Sequence, residues 1–318
     1  MVDTFNRNIT YLRLSVTDLC NLRCRYCMPA EGIRGKRSHG DMLTEEEMIL
    51  AVEAAAGIGI RKVRITGGEP LVKKNIVSIC RRTAQTDGIR EVCMTTNGVL
   101  LPPLARTLRE AGVSRLNISL DTLDEQKYRF ITRQGSLREA LAGLEAALAA
   151  GFDQVKINAV LIGGFNETEI PALAELTRRY PVDVRFIELM PMFDNPDFGP
   201  GAFVPGSKVL EALPELAPQS GRDGVAAMYR LPGAQGCVGL INPLSNHFCG
   251  DCNRLRLTAD GKLKPCLHSP LEFSVKGMTR QEMAEQMLRA IAAKPARHAP
   301  LSCRELSEAG RSMNQIGG

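Results

Sequence analysis

Tryptophan is missing from this 318-residue chain, and aromatic residues amount to only 5% of it. There is no long basic run and no interleaving of basic with aromatic residues. A net charge of +5 therefore accommodates an anionic ligand without calling for nucleic acid. The N-terminal stretch MVDTFNRNITYLRLSVTD lacks an apolar core of the secretory kind, so export is not expected. The longest run free of Asp, Glu, Lys and Arg, residues 231–250, is broken by Pro, Gly, Asn and Gln. It does not read as a membrane span. No G-x4-G-K-[ST] phosphate loop occurs, which argues against nucleotide hydrolysis of that kind. Internal repeats and low-complexity segments are absent as well. With 44% hydrophobic and 24% charged residues, a cytoplasmic globular protein remains, long enough for one large α/β domain or two ordinary ones.

Cysteine, by contrast, is plentiful, with ten residues. In a reducing cytosol clustered cysteines bind metal more often than they form disulfides. Six fall into two triads: Cys20, Cys24 and Cys27, then Cys249, Cys252 and Cys266. Cys80, Cys93, Cys237 and Cys303 stand alone and are expected to be ordinary buried or partly buried thiols.

Along the first two thirds, short strand-like runs alternate with helical ones. YLRLSVT, RKVRIT, REVCMTTN, VSRLNISLD, VKINAVLI and VDVRFIEL read as strands. TEEEMILAVEAAAGIG opens with Thr44 as N-cap and Glu47 three residues on, a capping-box pattern, and SLREALAGLEAALAAG is punctuated in the same way. Six strand–helix alternations of roughly 25–30 residues are the signature of parallel βα units. They stop near Met190, whereas a full barrel needs about 250 residues. The expected fold is α/β: an incomplete (β/α)6 TIM-type barrel over residues 1–190, with a C-terminal cluster-binding α+β region over 191–318. MPMFDNPDFGPGAFVPG reads as a connector. In RQEMAEQMLRAIAAKP, Met283, Met287 and Ile291 recur at helical spacing and are expected to be core.

CNLRCRYC follows the first strand directly, which in a βα barrel is the mouth where active sites lie. Three thiolates fit a structural zinc site completed by a distant ligand, or a [4Fe–4S] cluster with one iron left for a non-protein ligand. No partner pair of cysteines lies nearby, which favours the cluster. CNLRCRYC is similar to the C-x3-C-x2-C motif of the radical S-adenosylmethionine (SAM) superfamily, including Tyr26 just before the last cysteine. That resemblance implies SAM on the open iron and, on reduction, a 5′-deoxyadenosyl radical that abstracts hydrogen. It also implies SAM contacts at Gly68 and Glu69 of TGGEP, at Ser119 of NISLD and at Met190.

HFCGDCNRLRLTADGKLKPCL carries the second triad, and here a Cys3His zinc site with His247 or His268 stays open. Against it, Arg254 and Arg256 alternate along an extended segment and can both face an anion. From NRNITYLRLSVTDLCNLRCRYCMP through RITGGEPL, TTNG, NISLDTLD, VKINAV and RFIELMP to the terminal QIGG, essentially the whole chain resembles the GTP 3′,8-cyclase family. These enzymes are lyases that open molybdenum cofactor biosynthesis. The resemblance implies a second [4Fe–4S] cluster on Cys249, Cys252 and Cys266, with the guanine of GTP on its open iron. The radical would take the ribose 3′-hydrogen, and the product would be 3′,8-cyclo-7,8-dihydroguanosine triphosphate. Arg13, Arg64, Thr95, Lys156, Arg254 and Arg256 match GTP-contacting positions. Gly317 and Gly318 would enter the active site, although a glycine-ended tail by itself could equally be disordered. An external one-electron donor and, downstream, cyclic pyranopterin monophosphate synthase are implied as partners. Monomer and homodimer both stay open. The alternative reading is another radical SAM enzyme with an auxiliary cluster, such as a peptide-modifying maturase.

Overall fold

A computed structural model describes residues 1–32, 39–192, 195, 197–302 and 305–317. Cys303 and Gly318 lie outside the described residues.

Six strands, β1 (Tyr11–Ser15), β2 (Lys62–Thr66), β3 (Glu91–Thr96), β4 (Val113–Ser119), β5 (Gln154–Leu161) and β6 (Val182–Glu188), pair in sequence order and all run parallel. Between them lie α1 (Glu45–Gly57), α2 (Ile76–Gln85), α3 (Ala105–Glu110), α4 (Glu125–Thr132) and α5 (Leu137–Ala149), with α6 (Ile170–Arg179) before β6. Each of the six expected strands is present. α1 begins as its sequence requires, with Thr44 accepting from Glu47 N and the Glu47 carboxylate accepting from Thr44 N.

The remaining third adds α7 (Ser207–Ala212), β7 (Ala217–Asp223), β8 (Ala226–Arg230), β9 (Val238–Ile241), β10 (Arg254–Leu257), β11 (Lys262–Lys264), β12 (Phe273–Ser274) and α8 (Arg280–Ala292). These strands extend the same sheet at both ends. Its order is β12-β11-β10-β1-β2-β3-β4-β5-β6-β9-β8-β7. β10 is parallel to β1 and β9 is parallel to β6, so the parallel arc continues two strands beyond the six βα units. The outer strands β11–β12 and β7–β8 are antiparallel. Among the described residues no pairing joins β9 to β10, and the barrel stays open.

The core lies between strands and outer helices, where Leu12, Leu14, Ile65, Met94, Ile118 and Ile157 are buried. Met283, Met287 and Ile291 of α8 are fully buried, and α8 packs on α1. No helix among the described residues is long and apolar enough to cross a membrane.

Candidate active site

All six triad cysteines line one cavity of about 420 Å³ enclosed by the arc of parallel strands. None is in a disulfide. The loop after β1 carries the first triad and is clasped by the loop after β2. Gly68 N donates to Thr17 O at 2.7 Å and Glu69 N to Leu19 O at 2.8 Å. A Cβ on Gly67 would lie 2.5 Å from Thr17 O, and one on Gly68 would lie 2.3 Å from Leu19 O. The glycines are therefore required by the cysteine loop itself, whatever else approaches them.

Glu69 ties this clasp to β3. Its carboxylate accepts from Leu71 N, Thr96 Oγ1 and Asn97 N at 3.0, 2.7 and 2.7 Å. Burial pushes the carboxyl up to about 7 despite those donors. Farther along, Arg23 N and Arg25 N donate to Thr132 O and Ile131 O at the end of α4, which fixes the triad segment. Tyr26 OH donates to Asp121 Oδ2 at 2.8 Å, and Asp121 Oδ1 accepts from Val160 N at 2.8 Å. Burial pushes the Cys20 thiol up to about 11 and the Cys27 thiol up to about 12, and it raises Cys24 too, with Cys27 adding to the effect. A metal bound among these thiols would have to displace their protons.

The second triad faces the same space. Arg7 Nη1 donates to Cys249 O at 2.9 Å, and Cys252 N donates to Cys249 O at 3.2 Å. Lys294, buried behind the triad, donates to Arg254 O and Pro265 O at 2.7 Å each and lies 4.0 Å from Cys252 Sγ. Burial alone would raise Cys252, but Arg254 and Lys294 outweigh it and bring the thiol down to about 7. His247 Nδ1 lies 3.2 Å from His298 Nε2. Donor atoms of His247, Cys249 and His298 fall within 4.8 Å of one another, so the site offers nitrogen as well as sulfur. His268 Nδ1 instead meets Ser307 Oγ at 3.0 Å.

Between the triads runs a row of buried cations. Parallel pairing makes Arg256, Arg13 and Arg64 register partners on three adjacent strands. Burial brings Arg13 down to about 10 and lowers Arg256 well below its usual range, with neighbouring guanidiniums adding to both effects. Arg64 donates to Tyr11 OH at 2.5 Å and to Thr95 Oγ1 at 3.3 Å. Lys156 on β5 and Arg185 on β6 continue the cationic wall. Among the described residues, Asn117 Oδ1, Asn158 Oδ1, Arg185 Nε and Arg254 Nε are buried without a hydrogen-bond partner, and all four residues line the cavity. Such a lining suits a polyanion with polar edges.

Ser119 and Met190 line the cavity near the first triad's loop set. The tail returns to it as well. Gly317 is buried with a φ of +72°, and its carbonyl accepts from Arg13 and Arg256. Asn314 Nδ2 donates to Asp18 O at 3.0 Å. All the described site residues named from sequence thus lie in or against one cavity. Sequence reasoning passed over Lys62, Arg115, Asn117, Asn158, Asp121 and Arg185, which line it too. Lys62, Asn117 and Asn158 stand two positions from Arg64, Ser119 and Lys156, so strand alternation would have pointed to them.

Residues 14–177 match the family profile described as the Radical SAM superfamily, and residues 182–300 match Molybdenum Cofactor Synthesis C. The former carries with it one [4Fe–4S] cluster and SAM. The chain is 48% identical to the GTP 3′,8-cyclase of Alkaliphilus oremlandii and 48% identical to that of Moorella thermoacetica, covering 100% of each chain in both alignments. With the Geobacter sulfurreducens enzyme of the same name it shares 46% identity over 100% of this chain and 99% of that one. In structure it is similar to Streptococcus suis SuiB, with a TM-score of 0.67 at 13% identity over 91% of this chain and 67% of that chain. The chain belongs to the GTP 3′,8-cyclase family of radical SAM enzymes.

Proposed function

We propose that this chain converts GTP to (8S)-3′,8-cyclo-7,8-dihydroguanosine 5′-triphosphate, the lyase reaction that opens molybdenum cofactor biosynthesis. One observation carries the reading: two cysteine triads and a row of buried cations converge on a single cavity. Cys20, Cys24 and Cys27 would hold the [4Fe–4S] cluster that binds SAM, and when bound and reduced this assembly supplies the 5′-deoxyadenosyl radical that removes the ribose 3′-hydrogen. Cys249, Cys252 and Cys266 would hold a second [4Fe–4S] cluster, whose open iron would take the guanine.

The chain's own groups bind and orient. Glu69, ionised, accepts from the ammonium of SAM, while Gly68, Tyr26, Ser119 and Met190 line its methionine, sugar and adenine. Arg13, Arg64, Lys156, Arg254 and Arg256 grip the triphosphate and the base, with Thr95 adding a hydroxyl. Because these cations sit on strands and not in a phosphate loop, they hold the phosphates still while ribose and base react. Gly317 shapes the floor through Arg13 and Arg256, and Gly318 would help to arrange the site. Residues 1–190 would form the radical SAM barrel, and residues 191–318 the region that carries the second cluster and the Gly-Gly tail. An external one-electron donor, a downstream cyclic pyranopterin monophosphate synthase and a cytoplasmic location complete the reading.

The test is anaerobic incubation of reconstituted protein with reductant, SAM and each nucleoside triphosphate in turn. Production of 5′-deoxyadenosine that depends on GTP and not ATP is expected, whereas production independent of nucleotide would overturn the assignment. Metal analysis separates the second cluster from a zinc site: about eight iron per chain supports two clusters, and about four iron with one zinc supports a Cys3His site built with His247 or His298.

A further inference from the structure

Lys156 and Arg185 face the cavity from β5 and β6, and both are buried. Buried cations that meet no anion are costly. Two carboxylates attend them. Asp183 lies 3.9 Å from Lys156 but is committed elsewhere, since its Oδ1 accepts from Cys237 N at 2.9 Å and its Oδ2 from Gln154 Nε2 at 2.7 Å. Asp223 is differently placed. Its Oδ2 accepts from Arg185 Nη2 at 2.5 Å and also from Lys156 Nζ. It comes from the tip of the β7–β8 hairpin, and its side chain keeps 34% exposure.

That hairpin is built to give. β7 is the last strand of the sheet and pairs with β8 alone, through an irregular register between Pro218 and Arg222. Gly221 and Gly224 flank Asp223 with φ of +88° and +65°, and a Cβ on either would meet nothing within 4 Å. Asp223, Gly224 and Val225 all line the cavity. A carboxylate thus stands where a phosphate of the substrate would meet the same two cations.

We propose that Asp223 is an internal occupant of the phosphate seat, displaced from Lys156 and Arg185 when the triphosphate enters and the hairpin tip moves outward. This rests on the reading that the cavity takes GTP with Lys156 on its phosphates. The displacement burdens every anion that uses the pair. GTP offsets it through its base and its other phosphates, whereas a small anion has nothing with which to do so. Asp223 therefore offsets Lys156 and Arg185 in the empty site and makes stray phosphates compete with a carboxylate for them.

The test is calorimetric titration of anaerobically reconstituted holoenzyme, with SAM and without reductant, using GTP, inorganic pyrophosphate and guanosine. Asp223→Asn is expected to bind GTP and pyrophosphate about tenfold tighter or more, the scale of a released charge-assisted contact. Guanosine, which lacks phosphates, binds unchanged. Asp223→Glu, which keeps the carboxylate, restores values near wild type and guards against a general folding effect. Weaker GTP and pyrophosphate binding in Asp223→Asn would mean that the carboxylate assists the anion, and the proposal would fall, as it would with no change. If pyrophosphate tightens while neither protein binds GTP, the occupant stands and the substrate reading falls.

Discussion

The Arg13 guanidinium donates two hydrogen bonds, at 3.2 and 2.9 Å, to the carbonyl oxygen of Gly317, a residue 304 positions away in sequence. Arg256 adds a third at 3.2 Å. The tail is thus a backbone plug seated on two arginines that also face the cavity. A Cβ on Gly317 would come within 2.8 Å of Thr66 Cγ2 in a left-handed conformation that L residues avoid. Gly317→Ala is therefore expected to lower turnover by about tenfold or more while iron content stays at the wild-type level. One residue added after Gly318 is expected to act in the same direction. Unchanged turnover in both variants, measured as 5′-deoxyadenosine formed, would show that the tail does not shape the site.

Each triad is expected to hold its own cluster independently. Cys24→Ala and Cys252→Ala should each reduce iron from about eight to about four per chain, and the double variant to nearly none. Only the second single variant should retain SAM-dependent spectral changes. Loss of all iron from either single variant would mean that the two sets form one site.

Gly68 has ordinary φ, so crowding rather than torsion decides its substitution. In Gly68→Ala the new methyl group meets Leu19 O at 2.3 Å, and Leu19 adjoins Cys20. We expect a loss of roughly 1–3 kcal/mol in unfolding free energy, together with a shortfall of iron at the first site. Chemical denaturation and iron analysis of the same preparation check both.

Glu69 makes stability depend on pH with a definite sign. Its folded value of about 7 lies above the ordinary 4.5, so between these limits the folded protein keeps a proton that the unfolded chain has released. Rising pH through that window therefore costs stability, by up to roughly 3 kcal/mol once it is crossed. In cluster-free protein, the melting temperature should fall less between about pH 5 and 7 for Glu69→Gln than for wild type. SAM binding should run the other way, tightening as the pH passes about 7 in wild type and staying flat in the variant.

Much of this could be read in the residues. Alternation located the six strands, and the Thr44–Glu47 pair located the start of α1. The two triads share one cavity because each adjoins one of two neighbouring parallel strands, the first past the end of β1 and the second ahead of the start of β10. That neighbourhood itself left no local trace. Tyr11 pairs with Arg254 across most of the chain, and no periodic pattern announces a partner so remote. Lys294 was invisible for a similar reason, since it reads as an ordinary helix-end lysine and only packing places it behind Cys252. Asp223 stands in an Asp-Gly pair, which usually marks a surface turn and carries no sign of buried cations behind it.

The placement of β10 beside β1 also orders events on the ribosome. Until residues 254–257 have been made, the first strand keeps a bare hydrogen-bonding edge. Translation thus delivers the chamber's last side only near its end, and a chain released early is an open bowl with half its sulfur donors and an adhesive rim.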